Sequence, residues 1–249
     1  MNTRHPLSTW RALLAGAAAA ALAACEAAPA RTSEPQGRVD GGAGPSTPTA
    51  PARPAAAEPA VATAEPAVVT VLGDSITAGY GLSASQALPV QLESVLRAQG
   101  LPVRVRGAGV SGDTTGGGLA RVDFSVQPDS DVVVVALGGN DLLQGIDPAR
   151  TRANLDAIIG RLKARGHTVV LAGMQAPPQL GAYAAEFNAL YPALARQHDV
   201  PLYPFLLQGV ALMRQYNQQD GIHPNAEGAR IIAAGLAPTV AQAVRASQG

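Results

Sequence analysis

From residue 67 onward, short apolar runs alternate with segments whose apolar residues recur at helical spacing. This alternation constrains the fold more than any other feature, because strands joined by helices pair in parallel and are covered by helices on both faces. The consecutive valines at 132–135 are typical of such a buried strand. The predicted strands are 67–72, 102–106, 131–137, 168–172 and 200–204, and the predicted helices are about 84–99, 115–126, 148–165, 180–198, 206–216 and 225–246. We therefore expect an α/β fold, a three-layer α/β/α sandwich with a parallel sheet of about five strands.

A carboxylate and an imidazole lie on one turn near the C-terminal end, in Asp220-Gly-Ile-His223. A nearby carboxylate can hold an imidazole in the tautomer that takes a proton from a serine hydroxyl. Such a serine is expected on a sharp turn, and Gly73-Asp74-Ser75 directly follows the first predicted strand. The pattern predicts Ser75 as a nucleophile, His223 as its general base and Asp220 as the residue that orients the imidazole.

Two more glycine-containing turns follow predicted strands, at 107–113 and 138–141. The carboxyl ends of parallel strands meet at one edge of a sheet, so these turns are expected beside Ser75. Glycine turns can aim backbone N–H groups at the oxyanion of an acyl-transfer intermediate, and an asparagine amide can add a donor. Gly112, Asn140 and the N–H of Ser75 are candidate oxyanion donors. Taken alone, Asn140 would more often be a helix N-cap.

The spacing Gly107-x-Gly109-x-x-Gly112 also matches a dinucleotide-binding fingerprint. It follows the second strand instead of the first, and Asp113 would place a negative charge where a pyrophosphate binds. The acid that would bind ribose is also misplaced. We therefore expect no cofactor, and no spacing of ligand residues predicts a metal site.

Four blocks occur in order: Gly73-Asp74-Ser75, Gly112 within 111–114, Gly-Gly-Asn140-Asp at 138–141, and Asp220-x-x-His223-Pro. In these blocks the chain resembles the SGNH (GDSL) hydrolases, over about residues 67–240, and within them the bacterial periplasmic thioesterases, lysophospholipases and arylesterases. The resemblance implies Ser75 as nucleophile, His223 as base, Asp220 as orienting acid, and Gly112 and Asn140 as oxyanion donors. It also implies a serine esterase that hydrolyses small-molecule or lipid acyl esters or thioesters through an acyl-enzyme.

Two other functions stay open at this point. SGNH members also remove acetyl groups from polysaccharides, so a cell-envelope deacetylase is an alternative, and a non-catalytic envelope binding module is another. The acyl-chain preference depends on side chains that would line a groove, although core packing explains each of them equally well. The candidates for the groove are Leu142, Leu143, Met174, Leu180 and Tyr183.

The first 24 residues predict an export signal. Arg4 and Arg11 precede an apolar stretch of 13 residues, at 12–24, which is too short to span a bilayer. The stretch ends in Leu-Ala-Ala-Cys25, which resembles the lipobox of bacterial lipoproteins and implies lipidation of Cys25, the only cysteine. We expect a cell-envelope protein held by this lipid, most simply on the periplasmic side of the outer membrane.

The chain after the signal divides into a tether and one domain. Residues 25–66 are rich in alanine and proline with few large apolar side chains, so we expect a disordered tether, and we expect the hydrolase domain at 67–249. Loss of the signal leaves 16 basic and 18 acidic residues, a net charge of −2. Without a basic patch, we expect no nucleic-acid partner, membrane contact through the lipid anchor only, and a monomer.

Overall fold

The computed structural model describes residues 65–248. The predicted signal peptide, Cys25 and the tether up to residue 64 lie outside the described residues. The strands are β1 (Ala67–Gly73), β2 (Val103–Gly109), β3 (Val132–Ala136), β4 (Thr168–Ala172) and β5 (Leu202–Tyr203). The α-helices are α1 (Ser75–Ala78), α2 (Leu88–Ala98), α3 (Thr115–Ser125), α4 (Gly139–Gln144), α5 (Pro148–Ala164), α6 (Ala182–His198) and α7 (Ala226–Ser247). Short 3₁₀ turns cover Ala84–Gln86, Pro178–Leu180 and Arg214–Tyr216.

The five strands form one parallel sheet in the order β2-β1-β3-β4-β5. Strand β1 lies between β2 and β3, and its last residue, Gly73, is level with Gly109 of β2 and Ala136 of β3. Because β2 lies on one side of β1 and β3 on the other, the chain changes direction across the sheet at this point. Such a switch point opens a crevice at the carboxyl ends of the strands.

Helices pack in two groups around the sheet. Helix α2 packs against α7, while α3 packs against α5 and α5 against α6. Helix α7 presents a buried stripe with a spacing of four residues, formed by Ile232, Leu236, Val240 and Val244. Every residue of β3 is buried, as a strand covered on both faces requires. The predicted α/β fold with a five-stranded parallel sheet is confirmed.

No helix within residues 65–248 has the length and apolar character that a membrane span requires.

The helix predicted at 206–216 is wrong. This segment forms turns, because Gly209 and Leu212 have φ angles of 77° and 63°, outside the helical region. The side chain of Asn217 then donates a hydrogen bond to the carbonyl of Val210 at 2.7 Å, a group that a helix would have satisfied internally. The short helices α1 and α4 were not predicted, because helices of four and six residues are too short to show a helical spacing of apolar residues.

Candidate active site

The turn at residues 73–75, called the nucleophile turn after the role predicted for Ser75, joins strand β1 to α1. The Asp74 side chain accepts a hydrogen bond from the N–H of Ile76 at 3.0 Å, and Ser75 is the first residue of α1. A Cβ atom on Gly109 would lie 2.4 Å from the nitrogen of Ala78, so only glycine lets β2 approach this turn so closely. Close packing of β2 against the nucleophile turn therefore accounts for the glycine at position 109.

Three side chains predicted from the sequence lie in one hydrogen-bonded chain. The Ser75 Oγ is 2.9 Å from Nε2 of His223, and Nδ1 of His223 is 2.6 Å from Oδ2 of Asp220. With Nδ1–H donating to the carboxylate, Nε2 is free to accept the proton of the serine hydroxyl. This is the arrangement that activates a serine for attack on an electrophile.

The other carboxylate oxygen of Asp220 fixes the backbone of the turn. Oδ1 accepts the N–H of Ile222 at 2.9 Å and that of His223 at 3.0 Å. Burial raises the pKa of Asp220, but the hydrogen bonds from the His223 side chain and from these two N–H groups lower it further than burial raises it. The net pKa lies below its ordinary value, so the carboxylate is ionised at neutral pH and can stabilise an imidazolium.

Asn140 lies at the second position of α4, beside the nucleophile turn. Its Nδ2 donates to the carbonyl of Asp113 at 2.8 Å and makes a longer contact of 3.5 Å with Oδ2 of Asp74. The N-cap of α4 is Gly138, so Asn140 does not have the capping role that was the alternative for it. Gly112 lies in the exposed turn after β2 with a φ of 85°, a conformation that favours glycine.

A fully buried carboxylate anchors α4. Asp141 accepts hydrogen bonds from the N–H and the hydroxyl of Thr115, at 2.7 and 2.5 Å, and from the hydroxyl of Thr151 at 3.1 Å. These bonds tie α4 to the first residue of α3 and to α5. The position of the neighbouring Asn140 is therefore determined by three helices.

Sequence reasoning missed Arg121, whose guanidinium group joins the loops around the site. Nε donates to Oδ2 of Asp113 at 2.6 Å, Nη1 to the carbonyl of Ala108 at 2.9 Å, and Nη2 to the carbonyl of Gly73 at 2.7 Å. The ends of β1 and β2 and the turn after Gly112 are thus held by one side chain. A lone arginine in a helix of mostly small and apolar residues is a signal that could have indicated this role.

The small pocket beside Ser75 is not lined by the residues predicted for an acyl groove. Met174 is buried, with its Cε 3.3 Å from the position of a Cβ on Gly139, and Leu143 is exposed. Leu142, Leu180 and Tyr183 are partly buried and packed against the core. The residues that line the pocket are Ser75, Ile76, Gly79, Tyr80, Leu82, His223, Pro224 and Ala229.

Among residues 65–248, no group of three or more His, Cys, Asp or Glu side chains is arranged to hold a metal ion.

The pKa of the Asp74 carboxyl group, which directly precedes Ser75 in the chain, lies well above its ordinary value. Burial raises the pKa of Asp74 to about 6, although the N–H of Ile76 and the charge of His223 act in the opposite direction. Between pH 3.8 and about 6 the folded state therefore holds more protons on Asp74 than the unfolded state does. The free energy of unfolding should consequently fall as the pH rises through this interval.

We expect Asp74→Asn to remove this pH dependence. The difference between a pKa of 3.8 and one of about 6 corresponds to about 3 kcal/mol at neutral pH. The asparagine oxygen can still accept the N–H of Ile76 and does not titrate. Urea denaturation at pH 4, 5, 6 and 7 should show wild-type stability decreasing relative to that of the variant. Asp220 does not interfere, because its lowered pKa places its contribution below this interval. Parallel stability curves for the two proteins would contradict the prediction.

The chain is similar in sequence to known esterases. Residues 71–231 match the GDSL-like lipase/acylhydrolase family. Esterase TesA of Pseudomonas aeruginosa is 42% identical over 156 residues, which cover 62% of this chain and 78% of the relative. Thioesterase 1/protease 1/lysophospholipase L1 of Escherichia coli K12 is 41% identical over 165 residues, which cover 66% and 78%. The matched region of 71–231 contains the nucleophile turn, both glycine turns and the His223 turn.

The fold is similar as well. A crystal structure of AlinE4, an SGNH-hydrolase family esterase, is 44% identical and aligns with a TM-score of 0.60, covering 72% of this chain and 97% of that chain. The sequence match at residues 71–231 contains Ser75, Asn140 and His223.

Proposed function

The chain belongs to the GDSL-like lipase/acylhydrolase family, and from this premise we propose that it is a serine esterase that hydrolyses acyl esters or thioesters. The observation that carries the proposal is the continuous hydrogen-bonded chain from the Ser75 hydroxyl through His223 to Asp220. The names of the relatives, which include esterase, thioesterase and lysophospholipase, support this reaction class.

The geometry supports a two-step acyl transfer. His223 takes the Ser75 proton at Nε2 as Oγ attacks the carbonyl carbon, and the imidazolium is stabilised by Asp220. The imidazolium then gives its proton to the departing alcohol or thiol, which leaves Ser75 acylated. Water, activated by the same imidazole, attacks the acyl-enzyme and releases the carboxylic acid and the free serine.

The oxyanion that forms in each step needs fixed donors. The backbone N–H groups of Ser75 and Gly112 and the amide of Asn140 supply them in this proposal. The bond from Nδ2 of Asn140 to the carbonyl of Asp113 occupies one amide hydrogen, and in this proposal the other exchanges its long 3.5 Å contact with Oδ2 of Asp74 for a bond to the oxyanion. Because such a donor acts on charge that develops only in the transition state, its loss affects kcat more than KM.

We expect Asn140→Ala to lower kcat by about 10²- to 10³-fold, with little change in KM. Steady-state kinetics on a p-nitrophenyl ester measure both constants. The reaction of Ser75 with a fluorophosphonate should still occur in this variant, which shows that the serine and the imidazole are intact. A variant with wild-type kcat would remove Asn140 from the oxyanion hole.

The reaction class is tested with esters of increasing acyl length. Wild-type protein is assayed on p-nitrophenyl esters and acyl thioesters from C2 to C12, and folded protein is treated with a fluorophosphonate probe. The proposal predicts label on Ser75 and activity that persists beyond acetate. Activity restricted to C2 esters would favour the polysaccharide deacetylase, and folded protein without label would favour a non-catalytic binding module.

Cellular location forms part of the same proposal. The apolar stretch after Arg11 and the lipobox ending at Cys25 support export by residues 1–24 and anchoring through a lipid. We expect wild-type protein in bacterial cells to incorporate labelled palmitate and to sediment with membranes. Cys25→Ser should abolish the incorporation, since serine offers no thiol for lipidation. Equal incorporation in both proteins would exclude anchoring at this residue.

A further inference from the structure

The turn that carries His223 is joined to the nucleophile turn by the carboxamide of Gln218. Its Nε2 donates to the carbonyl of Tyr80 at 2.7 Å and to the carbonyl of Pro224 at 3.0 Å. Tyr80 comes shortly after Ser75 in the chain, and Pro224 directly follows His223. The two hydrogen bonds therefore connect the two turns whose separation sets the distance from the serine to the imidazole.

The backbone of Gln218 is paired with His223 itself. The N–H of Gln218 donates to the carbonyl of His223 at 2.8 Å, and Asn217 forms an antiparallel bridge with Pro224. A Cβ on Gly81 would lie 2.2 Å from Oε1 of Gln218, so a glycine at this position leaves the space that the carboxamide occupies. The side chain is thus held between the two turns from both sides.

The hydrogen bond from the Gln218 side chain to the carbonyl of Tyr80 also positions the ring of Tyr80 near the imidazole of His223. The ring centroids of Tyr80 and His223 are 4.5 Å apart, with an angle of 37° between the planes. The side chain of Tyr80 is 54% exposed, so neighbouring side chains do not fix it fully. The hydrogen bond from Gln218 to its carbonyl fixes its backbone instead.

We propose that Gln218 is a positioning residue that keeps His223 within proton-transfer distance of Ser75, a role that rests on the proposed esterase mechanism. Gln218 acts through the two turns and touches none of the reacting atoms. General-base catalysis requires a distance of about 3 Å between the heavy atoms, and a displacement of about 1 Å can lower the rate about 10²-fold. The two hydrogen bonds from Gln218 fix the separation of the two turns and therefore the distance between Ser75 Oγ and His223 Nε2.

The test removes the two N–H groups that the Gln218 carboxamide donates to Tyr80 and Pro224. Gln218→Glu keeps the shape of the side chain but places a carboxylate oxygen, which cannot donate, against two carbonyl oxygens. Gln219→Glu is the matched control, since it adds the same charge at the exposed neighbouring position. Gln218→Met removes the donors without adding charge and covers the case in which the glutamate variant does not fold.

We expect both Gln218 variants to lower kcat on a p-nitrophenyl ester by about 10- to 100-fold, with KM changed by less than about threefold. The Gln219→Glu variant should retain the wild-type kcat. Titration of Ser75 with a fluorophosphonate gives the number of competent sites, and the lower rate should persist when it is expressed per labelled site. The downfield proton NMR signal of Nδ1–H in His223 should shift or broaden in the Gln218 variants only.

Two results would overturn the role of Gln218. One is an unchanged kcat in the Gln218→Met variant. The other is a wild-type rate per labelled site, which would mean that the substitution only reduces the folded fraction. Failure of wild-type protein to label at Ser75 is a different result, because it would refute the esterase mechanism and, with it, the positioning role.

Discussion

Replacement of Ser75 by alanine is expected to lower kcat by about 10⁴- to 10⁶-fold, because no other group in the site can form the acyl-enzyme. The Ser75 hydroxyl is the group 2.9 Å from Nε2 of His223, and the side chain is nearly buried. Removing one small hydroxyl from this position leaves the packing of the turn intact. The residual activity should come from binding and from the oxyanion donors.

Steady-state hydrolysis of a p-nitrophenyl ester and fluorophosphonate labelling measure this effect independently. Ser85→Ala is a suitable control, since Ser85 is an exposed serine of the same region. It should retain full activity and labelling, and both variants should have the thermal stability of the wild type. Full ester hydrolysis by the Ser75→Ala variant would reject the assignment of the nucleophile.

The fold could be predicted because its main determinants are local. A run of valines such as 132–135 indicates burial on both faces wherever it occurs in a chain, and all five residues of β3 are buried. The segment 206–216 has enough apolar residues for a helix, yet it turns, because the side chain of Asn217 and the backbone of Leu212 favour another path. Whether such a segment forms a helix or turns depends on contacts with other residues, and the periodicity of its apolar residues gives no information about those contacts.

Family membership was also predictable, and the resemblance to the SGNH hydrolases is confirmed. Ser75, Asn140 and His223 could be predicted because each lies within two residues of a glycine or proline in a turn or near the start of an element, where the spacing of a motif is visible in the sequence. Gln218 could not be nominated in this way. Its partner Tyr80 is 138 positions away, and a hydrogen bond to a main-chain carbonyl leaves no signature in the identity of the residue that accepts it.

The second large effect is expected for Asp220→Asn, which tests whether the carboxylate selects the imidazole tautomer. The asparagine Oδ1 can keep the two bonds from the N–H groups of Ile222 and His223, so the turn should keep its conformation. The amide nitrogen then faces Nδ1 of His223, where Oδ2 now lies at 2.6 Å. Because an amide N–H donates, it favours the tautomer with the proton on Nε2.

A proton on Nε2 faces the hydroxyl of Ser75 and prevents the imidazole from accepting the serine proton. We therefore expect kcat to fall by about 10³- to 10⁴-fold, with substrate binding nearly unchanged. Nitrogen-15 NMR of His223 at neutral pH should show Nδ1–H in the wild type and Nε2–H in the variant. A variant that keeps the Nδ1–H tautomer and still loses its activity would mean that Asp220 acts through its charge on the imidazolium, because the tautomer of the imidazole would then be unchanged.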